Sequence, residues 1–240
     1  EYVQLYRQAV DAKAIGYTGF NRFAHGRKLA EPGYQAFKSP NADTLYSNAW
    51  LDLQNGPVLF TVPDTQGRYY TANFIDMYAN ASNIGARTHG TRAGRYLIAT
   101  TDWQGEVPAG VTLFRVGTPH VWILLRILAT DQADMAQAAA LQDAFKLTPL
   151  WHSQAATPDY PLPDAETAMG FFRILDFVLR TNGYPATEKA LVERYRGIGI
   201  AGTTAFDVAA TDAEIRAGLE AGFIEARRVI NASLAQGGRT

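Results

Sequence analysis

The sequence contains no cysteine, which excludes disulfides, thiolate nucleophiles and thiolate-held zinc or iron-sulfur centres. It has no excess of charge either: 22 basic against 23 acidic residues leave a net charge of -1, so no extended field attracts nucleic acid or an anionic membrane. No apolar run reaches the roughly 18 residues of a membrane span, and the longest, Val121 to Leu128, is interrupted by Arg126. A soluble domain with neither a nucleic-acid partner nor a membrane span is expected. Gly85, Gly90 and Gly94 follow no Gly-x-Gly-x-x-Gly order, and no Gly-x-Ser-x-Gly elbow is present, which disfavours a dinucleotide fold and a conventional serine hydrolase. The histidines, His25, His89, His120 and His152, are scattered without a His-x-x-x-His pair. His25, His89 and Asp43 carry atoms suited to zinc, iron or manganese, but no spacing gathers them, so no metal is assigned and no cofactor is named.

What the chain does contain is aromatic: 12 Tyr, 12 Phe and 4 Trp in 240 residues, a supply that suits sheet cores and ring-lined pockets. Val3, Tyr6, Val10, Ala14 and Tyr17 recur at three- and four-residue intervals, which predicts an amphipathic helix over 2–20. From Asp43 the period shortens. Strands are predicted over 44–53, 58–62, 68–76, 96–100, 111–116 and 120–128, the regular spacing of a sandwich. Pro63 to Gly67 reads as a turn joining 58–62 to 68–76 as antiparallel neighbours. In 44–53 both faces carry large side chains, so something must cover the second face. Helices are predicted over 131–147, over 166–182 behind the cap Asp164 and ahead of Gly183, and from the box at Thr211 with an apolar stripe of Ile215, Leu219, Phe223, Ile230 and Leu234 ending before Gly237 and Gly238. The organisation expected is an N-terminal helical segment (1–38), a β-sandwich (39–129) and a helical domain (130–240).

Polar residues embedded in β-rich sequence mark the stretch from Ser39 to Gly90. Its runs Ser39-Pro40-Asn41-Ala42-Asp43-Thr44-Leu45-Tyr46-Ser47, Trp50-Leu51-Asp52-Leu53, Arg68-Tyr69-Tyr70, Asp76-Met77-Tyr78 and Gly85-Ala86-Arg87-Thr88-His89-Gly90 resemble the bacterial domain-of-unknown-function family 1254. The resemblance continues through Pro119 to Arg126 and Leu141-Gln142-Asp143 and, more loosely, Gly197 to Phe206. It implies an immunoglobulin-like antiparallel β-sandwich followed by helices, an α+β fold. Members commonly continue into a jelly-roll companion of family 1214, of which the sequence up to Thr240 shows no trace. The chain opens on Glu1 rather than Met, so a periplasmic or secreted location is expected if a leader was removed and a cytoplasmic one otherwise.

The candidate site draws on the same stretch. Asp43 and Asp76 could divide acid and base roles if the sheet brought them together, with Tyr46 as a hydroxyl donor. Asn41, Arg68, Tyr69, Arg87 and Thr88 could bind a ligand, Arg87 by a bidentate fork. The bland alternative is that Asn41 and Asp43 fix a strand start and Asp76 pairs with Arg68 or Arg87, while Tyr70 fills the core. Two functions compete: hydrolase- or lyase-type chemistry on a small molecule or glycan at this pocket, or a non-catalytic binding or assembly module in which the cluster is structural. Tyr46, Trp50 and the stripe ending at Leu234 point to an apolar surface needing a partner, a second copy or a jelly-roll chain.

Overall fold

The computed structural model describes residues 1–31, 41–131, 133–150 and 158–236. Ser39, Pro40, His152, Gly237 and Gly238, and the boundary expected between residues 38 and 39, lie outside the described residues. The chain divides into two compact units, the first essentially Val3–Pro158 and the second Asp159–Thr240, and the fold is α+β.

In the first unit, α1 (Tyr2–Leu5) runs into a π turn, Tyr6–Val10, and no helix continues to residue 20. Asp11 is extended and its carboxylate accepts the backbone N–H of Lys13, while Gly16 and Gly19 sit at φ 88° and 77°. An aspartate turn followed by left-handed glycines breaks what the apolar spacing alone would continue. There follow β1 (Ala24–His25), β2 (Thr44–Asp52), β3 (Val58–Val62), β4 (Tyr70–Asp76), β5 (Ala81–Gly85), the short α2 (Ala86–His89), β6 (Gly94–Thr100), β7 (Thr112–Val116), β8 (His120–Leu128), α3 (Met135–Ala144) and β9 (Lys146–Pro149).

Two sheets form, ordered β1-β2-β8-β4-β5 and β7-β6-β3-β9. The first is antiparallel throughout, whereas β6 and β7 pair in parallel. The anticipated β3–β4 hairpin does not form: β3 pairs with β6 and β9, and β4 with β8 and β5. The seven residues between them cross from one sheet to the other. Thr65, buried in that link, donates its hydroxyl to the Arg68 carbonyl, and its N–H binds the Thr91 carbonyl. A turn pinned to a distant loop serves as a sheet-to-sheet corner, which turn chemistry cannot distinguish from a hairpin.

Phe60 of β3 is fully buried at the centre, with ring contacts to Phe74 of β4 at 5.7 Å and Phe145 at 5.9 Å. The rings lock the sheets together, and α3 closes the core with Ala138 and the residues around it. The expected helix over 131–147 is thus shorter. Lys146–Pro149 is an edge strand beside β3, and residues 130–150 belong with the sheets rather than with the helices. Both faces of β2 are buried, as its sequence requires. Trp50 is fully buried and stacks on Trp122 of β8 at 6.1 Å, and Tyr46 is also buried. Neither belongs to an exposed apolar surface.

The second unit holds α4 (Ala168–Asn182), α5 (Lys189–Tyr195) and α6 (Ala213–Ala235). Thr167, rather than Asp164, caps α4 by accepting the Gly170 N–H; Asp164 holds the Thr167 hydroxyl and N–H instead. Asp212 caps α6. Asp176, on the inner face of α4, accepts from Arg180 and from the backbone of Ala201 and Phe206, and so anchors the loop behind α5.

Gln142 fastens α3 to β2. Fully buried, it donates to the carbonyls of Gly26 and Tyr46 and to the Ser47 hydroxyl, at 2.9 to 3.1 Å. Gln142→Leu, close in volume, leaves the Gly26 carbonyl unpaired and should cost about 1–3 kcal/mol in urea denaturation. A loss within experimental error would show that apolar packing alone seats α3.

Candidate functional site

The two carboxylates expected to cooperate do not meet. The Asp43 carbonyl accepts from Ala129 at one end of β8, while Asp76 is paired with Val121 near the other end. At about 3.4 Å per residue, the intervening eight positions separate them by roughly 25 Å. Asp43 is exposed, whereas Asp76 is buried and committed to its own turn. Its Oδ1 accepts the N–H groups of Tyr78 and Asn80, and its Oδ2 accepts the Asn80 amide. Ala79, at φ 64°, completes that turn, and a Cβ added at Gly117 would lie 2.7 Å from Asp76 Oδ2. Asp76 is a brace of the β4–β5 connection and pairs with neither Arg68 nor Arg87.

Arg68 finds a different partner. Its guanidinium forks onto Asp134, just ahead of α3, at 2.5 and 2.6 Å and also donates to the Leu128 carbonyl. Asp134 further accepts the Thr130 N–H and hydroxyl. The Arg68 hydrogen bonds, with those from Thr130, hold the Asp134 carboxyl far below the usual carboxylate range, and the same bond raises the Arg68 pKa. The pair lines a groove of about 560 Å3 with Asp64, Gln66, Gln137 and Leu141. A carboxylate so fully engaged is a poor proton donor or acceptor at neutral pH. Nearby, Arg87 lies over the Tyr69 ring at 5.5 Å, a contact that holds both side chains at the surface. Thr88 is exposed and closes the local turn, its hydroxyl accepting the Gly85 N–H and donating back to the Gly85 carbonyl. Tyr70 is buried in the core, and burial pushes its hydroxyl up to about 12.

A second polar row crosses the outer face of the five-stranded sheet. Tyr46 of β2 and Thr71 of β4 stand directly opposite Arg126 of β8, one on each side; cross-strand partners share a face and lie within side-chain contact. The Tyr46 hydroxyl accepts the Asn41 N–H at 2.8 Å, uniting two residues expected in the site. The Asn83 amide donates to the Thr71 hydroxyl, which donates to Asn73. Arg126 is half-buried, and its Nε is sealed from solvent without a hydrogen-bond partner among the described residues. Arg126, Thr71, Asn73 and Asn83 were not among the sequence candidates. The signal for the first was present, as the one charge inside the longest apolar run.

His25 of β1 contacts the Ser47 hydroxyl at 2.8 Å. Burial, then repulsion from Arg27, lowers its pKa, so the imidazole is neutral at pH 7. Ser47 is fully buried and already accepts from Gln142, which makes the pair a structural link rather than an exposed nucleophile. Among the described residues no group of three His, Asp or Glu could hold a metal ion, and no helix is long and apolar enough to cross a membrane.

Comparison with known proteins agrees with the sheet geometry. The profile of the family described as protein of unknown function (DUF1254) matches residues 20–149, the segment that contains β1 to β9. The crystal structure of the VPA0106 protein from Vibrio parahaemolyticus is similar, with 27% identity and a TM-score of 0.72 over 94% of this chain and 54% of that one. The chain therefore spans about half the length of that protein. No curated protein matches.

The Arg68–Asp134 pair makes a signed pH prediction. Because the folded Asp134 pKa is depressed, its stabilising contribution is present above the unfolded carboxylate value of about 4 and is lost as pH falls further. Parent and Asp134→Asn melts should differ by a constant amount from pH 7 to about 5 and converge in stronger acid. A difference independent of pH down to unfolding would remove the ion pair from the account.

Proposed function

This chain belongs to the DUF1254 family of proteins of unknown function, and from that membership and the geometry of the β2–β8–β4 face we propose that it is a binding module for a small carboxylate- or phosphate-bearing molecule, acidic sugars included, held by Arg126. The observation that carries the reading is the sealed, unpartnered Nε of Arg126 within the matched segment. Leaving a buried donor without an acceptor costs free energy, and the planar guanidinium fork matches a carboxylate or phosphate. Tyr46, Thr71, Asn73 and Asn83 stand on the same face, where the Asn83 amide, the Thr71 hydroxyl and the Asn73 carbonyl form a hydrogen-bonded row beside Arg126.

Binding is favoured over hydrolase- or lyase-type catalysis by what flanks Arg126. The neighbouring positions on that face are Thr44, Tyr46, Asn48, Thr71, Asn73, Leu124 and Leu128, which bring neither a carboxylate nor an imidazole. Among the described residues these positions offer the Tyr46 phenol but no carboxylate or imidazole to act as a base. Of the residues first considered, Tyr46 and Asn41 remain in this reading, and Asp43, Asp76, Arg68, Tyr69, Arg87 and Thr88 leave it. Within the α+β class we read the paired sheets as immunoglobulin-like, supported by the antiparallel sheet that shares an aromatic core with the second sheet. The parallel β6–β7 pair is a departure from that pattern.

Arg126→Met keeps an apolar stem about as long as the arginine's methylene chain and removes the guanidinium. It should leave the melting temperature within a few degrees of the parent, because no bond is broken. Binding of small carboxylates and phosphates, ranked on the parent by calorimetry, should weaken at least tenfold. A strongly destabilised Arg126→Met, or a parent that binds no anion in such a panel, would show Arg126 to be structural.

A further inference from the structure

Helix α4 gathers charge on one face. Asp176, Phe177 and Arg180 stand three, four and seven positions beyond Arg173, a spacing that sets all four on the same side of the helix. Asp176, almost wholly buried, is saturated. Its Oδ1 accepts the Ala201 N–H at 2.9 Å, and its Oδ2 accepts the Phe206 N–H at 2.9 Å and Arg180 Nε at 2.8 Å. Arg180 is thereby held through Nε. Its two Nη groups bond to nothing among the described residues, so the end of the guanidinium that suits a carboxylate stays open.

Arg180 lines a recess of about 580 Å3 within the second unit, together with Arg173, Asp159, Asp207, Tyr160 and Phe206, a volume in the range of small-molecule sites. The Phe206 N–H and Arg180 Nε bind the same oxygen of Asp176, which brings Asp207, the next residue in the chain, to the Arg180 end of the recess. Asp159 and Asp207 are both exposed, and neither forms an ion pair among the described residues. Unlike charges therefore line one cavity without touching, and each sign is left facing solvent. The rest of the wall is apolar. Tyr160, Phe177 and Phe206 are buried, the first two with ring centroids 5.0 Å apart.

We propose that this recess binds a small zwitterion, an α-amino acid with an apolar side chain, its carboxylate on the Nη groups of Arg180 and its ammonium at Asp207 and Asp159. Charge decides between ligand types. The lining holds two arginines against three aspartates, a sum of -1, which disfavours a bare anion. The open end of Arg180 disfavours a bare cation, because like charge placed against it is repelled. A molecule that carries an ammonium and a carboxylate meets both signs and cancels neither. The guanidinium takes the carboxylate by two parallel bonds, and the ring-lined wall takes the side chain.

Calorimetry of the full chain with L-leucine, L-methionine and L-phenylalanine should show binding of at least one. For the tightest of them, removing either charge, as the decarboxylated amine or the deamino acid, should weaken binding at least tenfold. That series needs no variant. On the protein side, asparagine at position 207 keeps the acceptor that holds the Ala209 N–H, and Asp159 holds nothing among the described residues. The double variant Asp159→Asn, Asp207→Asn should therefore melt with the parent. It should lose at least tenfold in amino-acid affinity and bind the deamino acid no more weakly than the parent does. Arg180→Lys, which keeps a charge beside Asp176 and loses the fork, should weaken the amino acid and spare the amine. A parent that binds none of the three amino acids overturns the proposal, as does one that binds the deamino acid equally well. So does a folded double variant of unchanged affinity. Equal binding of the deamino acid would leave the reading of Arg126 standing, since that site, in the other unit, asks for no ammonium.

Discussion

The pairing of β8 with β2 on one side and β4 on the other is the constraint on which the first unit depends. β8 is apolar on one face, with Val121, Ile123, Leu125 and Ile127 fully buried toward the second sheet, and carries Trp122, Leu124 and Leu128 around Arg126 on the other. Such a strand is stable only at the centre of a sheet, flanked by neighbours that satisfy its backbone on both edges. Once it is there, much else is fixed. Asp43 and Asp76 fall near opposite ends, Arg126 is carried between Tyr46 and Thr71, and the Leu128 carbonyl becomes the acceptor that orients Arg68 toward Asp134.

Around that frame, most of the charged groups that looked functional are absorbed by structure. Asp76 organises a turn, Arg68 and Asp134 join the sheet to α3, and His25, Ser47 and Gln142 join β1, β2 and α3. Each is engaged by several partners, which is how buried polar groups avoid their desolvation cost. Arg126 is the charged residue of this sheet whose buried nitrogen has no partner among the described residues, in the company of the uncharged Thr44, Trp50 and Tyr70, and its charge gives it functional weight. In the second unit the contrast is apolar. Asp176 is saturated with hydrogen bonds, yet α6 leaves most of its hydrophobic stripe uncovered.

Local sequence determined the elements whose signals are local. The strand 58–62 was legible residue for residue, as was 120–128, because β-branched and aromatic runs have few alternatives. The helix ending at Asn182 was legible from its period and from Gly183 beyond it. The family resemblance was carried by ordered short motifs, and the absence of cysteine removed whole classes of chemistry.

Only the tertiary structure decided which strands pair and which side chains meet. The link at Pro63 to Gly67 has hairpin chemistry, but its ends join different sheets, because the contact holding it, Thr65 to Thr91, is remote in sequence. Asp43 and Asp76 were equally plausible partners until the register of β8 set them apart. Arg126 lay unremarked as a site in an apolar run until that register put two hydroxyl-bearing residues beside it. A sequence specifies period and propensity along one dimension, whereas a site is a coincidence of distant residues in three, fixed by long-range pairing that no local pattern encodes.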